Sequence, residues 1–193
     1  MFKIAVLVSG SGSNLQAIID AIDNRELNVE IAMVIASNHQ AFALERAQKH
    51  HIQSYVVSKK EFANCSDQIL KLAKLHQVNL IVLAGYLGIL NGKLLDEYNG
   101  KIINIHPALL PKYGGPGMYG HYVHEAVIKA QEMESGCTVH YVSAQIDGGE
   151  IILQTKVKVL AHDTPTTLAK RILVQEHKLL PAAIKLISAR KSN

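Results

Sequence analysis

Tryptophan is absent, aromatic side chains make up only 5% of the chain, and there are just two cysteines, Cys65 and Cys137. The cysteines lie far apart and in no metal-ligand spacing, which excludes a disulfide scaffold or a cysteine zinc site. Idle thiols in a reducing compartment are expected. No apolar run suffices for a membrane span. The N-terminal run, Met1 to Val8, stops at Ser9-Gly10-Ser11-Gly12-Ser13. It could pass for the core of a secretion signal, but the helical pattern that follows it favours a first strand. Low-complexity tracts, blocks of like charge and repeats of solenoid length are also lacking. Nucleic acid is a disfavoured partner. The formal charge is only +4, and the lysines are scattered without interleaved aromatics. Lys59-Lys60 and Arg190-Lys191 read as solvated surface. What is present is 193 residues, 48% of them hydrophobic, with 13 glycines and 5 prolines. That is enough for one well-filled domain, mildly basic and suited to anionic small molecules, with the cytoplasm as its expected location.

The most informative stretch runs from Ile102 to Lys112. It begins as an apolar strand and ends in a loop bracketed by Pro107 and Pro111. Side chains alternate along a strand, so Asn104 and His106 leave the same face while Ile103 and Ile105 take the other. In an open α/β sheet, ligands bind beyond the C-terminal strand ends. An amide and an imidazole placed there can donate hydrogen bonds to an oxygen that becomes negative in a reaction. The imidazole can also move a proton near neutral pH. Read alone, the pair could equally cap a strand end.

Lys3 to Val8 reads as a buried parallel strand. The glycine loop that follows leads to Leu15, Ile18, Ile19 and Ile22 at helical spacing. Glycines between a strand and a helix N-terminus outline a phosphate cradle. A dinucleotide fingerprint would need glycine where Leu15 stands, and a P-loop would need a lysine, so a small phosphomonoester fits best. A tight turn without a ligand also fits. Strands are expected at Val29–Ala36, Ser54–Val57 and Asn79–Ala84. Helices are expected at Ala41–His50, Glu61–Gln77 and Lys93–Tyr98. Gly85 to Leu90 forms either an apolar wall for a flat ligand or plain packing. Tyr113 to Gly120 holds four glycines and reads as a mobile flap or an ordinary surface loop, ahead of a helix at His121–Ala130. The Leu110-Pro111 bond is expected to be cis. Cys137–Ala144 and Ile151–Leu160 read as strands joined at Asp147-Gly148, a hairpin signal. A last helix starts at Asp163-Thr164-Pro165, and Pro181 is expected to break or kink it. The alternation implies an α/β fold: a three-layer, Rossmann-like, mainly parallel sheet with an antiparallel C-terminal hairpin.

Four motifs occur together in order. They are the glycine loop Ser9 to Gln16, Leu83-Ala84-Gly85-Tyr86, Asn104-Ile105-His106-Pro107-Ala108-Leu109-Leu110-Pro111, and Asp147-Gly148-Gly149. From Met1 to about Pro181 the chain resembles the folate-dependent glycinamide ribonucleotide transformylase family, the phosphoribosylglycinamide formyltransferases of purine synthesis. The resemblance implies direct transfer of a formyl group from 10-formyltetrahydrofolate to the amine of glycinamide ribonucleotide, through a tetrahedral intermediate and with no metal. It implies that Asn104 donates to the oxyanion. Protonated His106 stabilises that oxygen and donates the proton, and Asp147 holds His106 charged. Gly12, Ser13 and Asn14 would hold the phosphate, with Gln175 and Glu176 at the ribose. Leu87, Gly88, Ile89, Leu90, Asn104, Ser143, Ala144, Gln145, Ile146 and Asp147 would line the pteridine pocket. Residues 1–100 would form a phosphate-binding half and 101–193 a folate-binding and catalytic half. Small-molecule substrates and a monomer or weak homodimer follow. Two features depart from many relatives: glycine stands at 88 and Phe62 lies where they carry basic residues, Lys60 being nearest, and the 114–124 flap is longer.

Ten histidines invite a metal, but His121 and His124 at i, i+3 have no third ligand nearby. His140 reads as a packed or solvated strand residue. A tRNA formyltransferase would need a further region after Pro181, and a formyltetrahydrofolate hydrolase a regulatory domain before the first strand; neither is expected. The alternatives are a related transferase acting on another phosphoribosyl or sugar amine, and a non-catalytic nucleotide-phosphate sensor.

Overall fold

The computed structural model describes residues 1–190. Its order is β1 (Lys3–Val8), α1 (Ser13–Asp23), β2 (Glu30–Ala36), α2 (Ala43–Lys49), β3 (Ser54–Val56), α3 (Cys65–Leu75) and β4 (Leu80–Leu83). Then follow α4 (Lys93–Glu97), β5 (Ile102–His106), α5 (His121–Lys129), β6 (Glu134–Tyr141), β7 (Ile151–Lys158) and α6 (Pro165–Arg190). The seven strands form one sheet in the order β3-β2-β1-β4-β5-β6-β7. β1 to β5 run parallel, and β6 and β7 join antiparallel. This is the expected three-layer α/β architecture. One apolar cluster packs α1, α2, α5 and α6 on one face, and a second packs α3 and α4 on the other. Covering both faces explains why β1 and β4 are apolar without alternation.

After β1 the chain turns to one side of the sheet; after β3 it crosses over and continues on the other. The reversal falls between β1 and β4, and the C-terminal ends of β1, β4 and β5 lie side by side there. That is where such sheets hold ligands.

Several boundaries differ from the sequence reading. α3 starts at Cys65 rather than Glu61, because Asn64 Oδ1 accepts the N–H groups of Ser66 (3.0 Å) and Asp67 (3.4 Å) as an N-cap. β6 spans Glu134–Tyr141 rather than Cys137–Ala144. Its partner β5 begins at Ile102, so the ladder ends where Val142 N–H reaches Ile102 O. Pro181 neither breaks nor ends α6. Leu179, Leu180, Ala183, Ile184 and Ile187 are buried on both sides of it. Their burial, at about 1.5–3 kcal/mol per large aliphatic side chain, outweighs the roughly 3 kcal/mol cost of an interior proline. The Leu110-Pro111 bond is cis, as expected.

Candidate functional site

β5 carries the site because its two faces differ. Ile103 and Ile105 pack with α1, α5 and α6, and Ile102 is buried against α3 and α4. Asn104 and His106 follow on the Ile102 face, where the sheet ends and the cavity opens. That cavity, of about 490 Å³, is lined by Asn104, His106, His140 and Asp147, by Gly85–Leu90, by Gly115–Gly120 and by Val142–Ile146. All of the residues assigned to the pteridine pocket from sequence thus line one cavity. It draws on both halves of the chain.

Asp147 comes from the loop 142–150. The sequence placed a hairpin turn over 145–150; the structure keeps the hairpin, with His140 paired to Ile151, and has a longer loop. Gly149 makes it possible, since a Cβ at that position would lie 1.8 Å from Tyr141 O. Asp147 itself adopts φ +53°, a conformation that costs a non-glycine residue about 1–3 kcal/mol. Its Oδ2 is 3.6 Å from His106 Nδ1 and accepts the Gly115 N–H at 3.0 Å. Its Oδ1 is 3.6 Å from His140 Nε2. Burial raises the Asp147 proton affinity, but the neighbouring histidines and the Gly115 N–H outweigh it, so the carboxyl titrates below its usual range.

His106 is 4% exposed. Its Nε2 lies 2.7 Å from Tyr113 O, and a carbonyl can only accept, so Nε2 carries the proton. In the neutral ring Nδ1 therefore holds the lone pair and faces Asp147. Asp147 favours the imidazolium, as expected of a carboxylate beside an imidazole, but burial opposes it. Burial disfavours the imidazolium more than Asp147 and the Tyr113 carbonyl favour it, and the His106 pKa lies below 6.5. The balance of these effects favours the neutral imidazole.

The sequence reading missed His140. It is 2% exposed, and β6 pairs it directly with Asn104. Its Nδ1–H donates to Tyr141 O at 2.9 Å, leaving Nε2 to accept from Asn104 Nδ2 at 3.1 Å. This fixes the Asn104 amide and leaves a second N–H on the same nitrogen. The next pair in that register joins His106 to Thr138. Thr138 Oγ1 donates to Ala108 O (2.6 Å) and accepts from Leu110 N–H (3.2 Å) and Gln154 Nε2 (2.8 Å). The polar alternation Thr138, His140, set against Asn104 and His106, was the available signal. It could be read only with the antiparallel register in hand.

The glycine loop lies at the neighbouring strand end. Gly12 adopts φ +69°, and a Cβ there would lie 2.6 Å from Ala43 Cβ, so this residue lets the loop close against α2. Ser13 and Asn14 then begin α1, whose first N–H groups have no intrahelical acceptor. Asn14 is buried and donates through Nδ2 to Glu176 Oε2 at 2.8 Å, while its Oδ1 has no partner among the described residues. Burial holds the Glu176 carboxyl above its usual range, against the Asn14 bond. Gln175 is half-buried beside it on α6 and does not line the cavity. Ser9 links this loop to the cavity wall, its Oγ accepting from Leu87 N–H and from the Ser37 hydroxyl, each at 2.8 Å. Ile89 and Leu87 are exposed at the rim, and Gly88 is hemmed in: a Cβ there would meet the Tyr86 ring at 2.5 Å.

Outside this region, His121 pairs with Glu125 at 3.0 Å, and His124 is buried with its pKa pushed down to about 4 by burial and by His121 and His106. Among the described residues there is no group of three metal-ligating side chains. Cys137 is buried, its thiol pushed up to about 12, and Cys65 is half-buried. No described helix is long and apolar enough to cross a membrane.

Comparison with known proteins gives one family. The formyl transferase family matches residues 2–184. A phosphoribosylglycinamide formyltransferase of Haemophilus influenzae is 42% identical over 96% of this chain and 86% of that protein. The protein of the same name from Bacillus subtilis is 38% identical over 96% of this chain and 94% of its own length. A glycinamide ribonucleotide transformylase structure from Symbiobacterium toebii superposes with a TM-score of 0.92 at 35% identity, over 98% of this chain and 88% of that one.

Proposed function

This chain belongs to the formyl transferase family, and we propose that it is a phosphoribosylglycinamide formyltransferase using 10-formyltetrahydrofolate as its formyl donor. Relatives of that name match nearly its whole length. The observation that carries the assignment is the convergence of Asn104, His106 and Asp147 on one largely apolar cavity, whose wall is joined to the glycine loop through Ser9.

The folate enters as a substrate. Leu87, Gly88, Ile89, Leu90 and the Ser143–Asp147 segment take its flat ring system, and Gly12, Ser13 and Asn14 take the phosphate of glycinamide ribonucleotide through the α1 N–H groups. Glu176, supported by Asn14, accepts from the ribose hydroxyls, with Gln175 beside it. The acceptor amine forms a bond to the formyl carbon, and the carbonyl electron pair moves to oxygen. Asn104 donates its free Nδ2–H to that oxygen, in the orientation His140 sets. His106 takes the proton the amine must lose, on Nδ1. The resulting imidazolium lies against anionic Asp147 and returns the proton to N10 as the carbon–nitrogen bond to tetrahydrofolate breaks. One proton moves from amine to N10, and the protein is regenerated. Neutral His106 at rest suits this order, with Asp147 stabilising the charge only once it forms. We place the reaction in the cytoplasm, with a monomer or weak homodimer as the working state.

The test is to incubate the protein with 10-formyltetrahydrofolate and glycinamide ribonucleotide, follow folate absorbance, and omit each substrate in turn. Release of tetrahydrofolate only when both are present supports the assignment. Release without the amine would make the protein a hydrolase, and no release with either substrate set would reject catalysis.

A further inference from the structure

Two consecutive side chains reach one carboxylate. Lys112 Nζ lies 2.9 Å, and the Tyr113 hydroxyl 3.0 Å, from the same oxygen, Oε1 of Glu132. Neighbours in extended chain point to opposite faces. Here both lie in a turn, where Tyr113 adopts φ +56°, and they converge. The same twist turns the Tyr113 carbonyl onto His106 Nε2 at 2.7 Å. Two residues on, Gly115 N–H reaches Asp147 at 3.0 Å. Gly114 between them has little room for more, since a Cβ would come within 2.6 Å of the Leu110 side chain and 3.2 Å of Asp147 Cβ. Residues 112–115 therefore grip both His106 and Asp147, and their outer end is fastened to Glu132, in the turn between α5 and β6.

We propose that Glu132 is a positioning residue for formyl transfer: by anchoring the Tyr113 side chain it aims the Tyr113 carbonyl at His106 Nε2, keeping the proton there and the lone pair on Nδ1. The consequence for catalysis rests on the role given to His106 above; the effect on the ring does not. Glu132 itself does not line the cavity. Without its anchor the Tyr113 peptide is free to rotate, and the choice between tautomers is lost. The ring with its proton on Nδ1 offers no base toward Asp147 and the cavity. Losing the carbonyl also removes a group that favours the imidazolium, so His106 becomes harder to protonate. The other titratable groups facing His106 are Asp147 from the β6–β7 loop, His140 from β6 and His124 from α5, and all three remain in the variants below.

The test reads the ring directly in the substrate-free protein, by nitrogen-15 NMR of histidine across a pH titration. Wild type is expected to hold His106 in the single tautomer protonated on Nε2. Glu132→Ala is expected to give a mixture and to move the His106 midpoint to lower pH. Tyr113→Phe should reproduce both changes, and the double variant should add nothing. Glu132→Gln, which can still accept the Tyr113 hydroxyl, should restore the wild-type pattern. In turnover, Glu132→Ala should lower kcat roughly tenfold, a partial loss of a positioned proton-transfer group, while KM changes far less. An unchanged tautomer and midpoint in folded Glu132→Ala would overturn the proposal whether or not the protein transfers formyl groups. If Glu132→Ala does not fold, Tyr113→Phe carries the same two outcomes. A tautomer change in a protein inert toward formyl transfer would fault the functional reading and leave the anchor standing.

Discussion

Thr138→Val tests the link between β6 and the loop that follows His106. The substitution keeps shape and removes one hydroxyl in a fully buried position. That hydroxyl serves three partners: Ala108 O at 2.6 Å, Leu110 N–H at 3.2 Å and Gln154 Nε2 at 2.8 Å. Valine leaves Ala108 O and Leu110 N–H buried without these bonds. Gln154 still reaches Leu110 O at 3.0 Å and is less affected. A buried polar group deprived of its partner costs about 1–3 kcal/mol. The Leu110 bond is long, so two such losses near the lower end give about 2–4 kcal/mol in all. For a chain of this size that corresponds to a Tm lowered by roughly 5–15 °C. The assay is thermal unfolding followed by circular dichroism, with Thr138→Ser as the control. Serine keeps the hydroxyl and loses one methyl, worth about 0.8 kcal/mol. A Thr138→Val protein within roughly 2 °C of wild type, less than the shift expected from 1 kcal/mol, would mean that the hydroxyl does not tie β6 to this loop.

Three further outcomes are expected. Asn104→Ala should lower kcat by about 10²–10³, the scale for one oxyanion donor; a loss confined to KM would assign the amide to binding alone. The pH dependence of kcat/KM should have an acid limb with its midpoint below 6.5, because burial depresses the His106 pKa and the neutral form acts first. Activity is then full at neutral pH and falls as pH drops through that midpoint; a limb centred above 7 would contradict the neutral starting state. Asn14→Ala removes the donor to buried Glu176 and should weaken binding of the phosphoribosyl substrate by roughly tenfold or more, measured by calorimetry. An unchanged Kd would remove the Asn14-supported Glu176 contact with the ribose from the account.

The alternation of Ile103 and Ile105 against Asn104 and His106 was legible in the sequence because a strand has a fixed side-chain period. The parallel order was legible because apolar strands alternated with helical segments. Relations across strands were not. His140 looked like packing until the register set it opposite Asn104, and Thr138 gained its role only beside Ala108 and Leu110. That α6 runs on through Pro181 without a break was not legible, because local propensity says nothing of the burial on either side of it. The balance of effects on His106 was not legible for a related reason. Sequence showed a carboxylate to pair with it, while the desolvation that outweighs the carboxylate depends on the packed surroundings. Glycines 12 and 149 each allow a close approach that only the coordinates reveal, to Ala43 for one and to the Tyr141 carbonyl for the other.

The central claim is that one imidazole at the end of β5 carries the proton from amine to folate. Turnover of His106→Ala, with both substrates saturating, tests it most directly. A fall of at least about a hundredfold, in a protein that still binds both substrates, is the outcome expected for a positioned proton-transfer group. A rate close to wild type would contradict it.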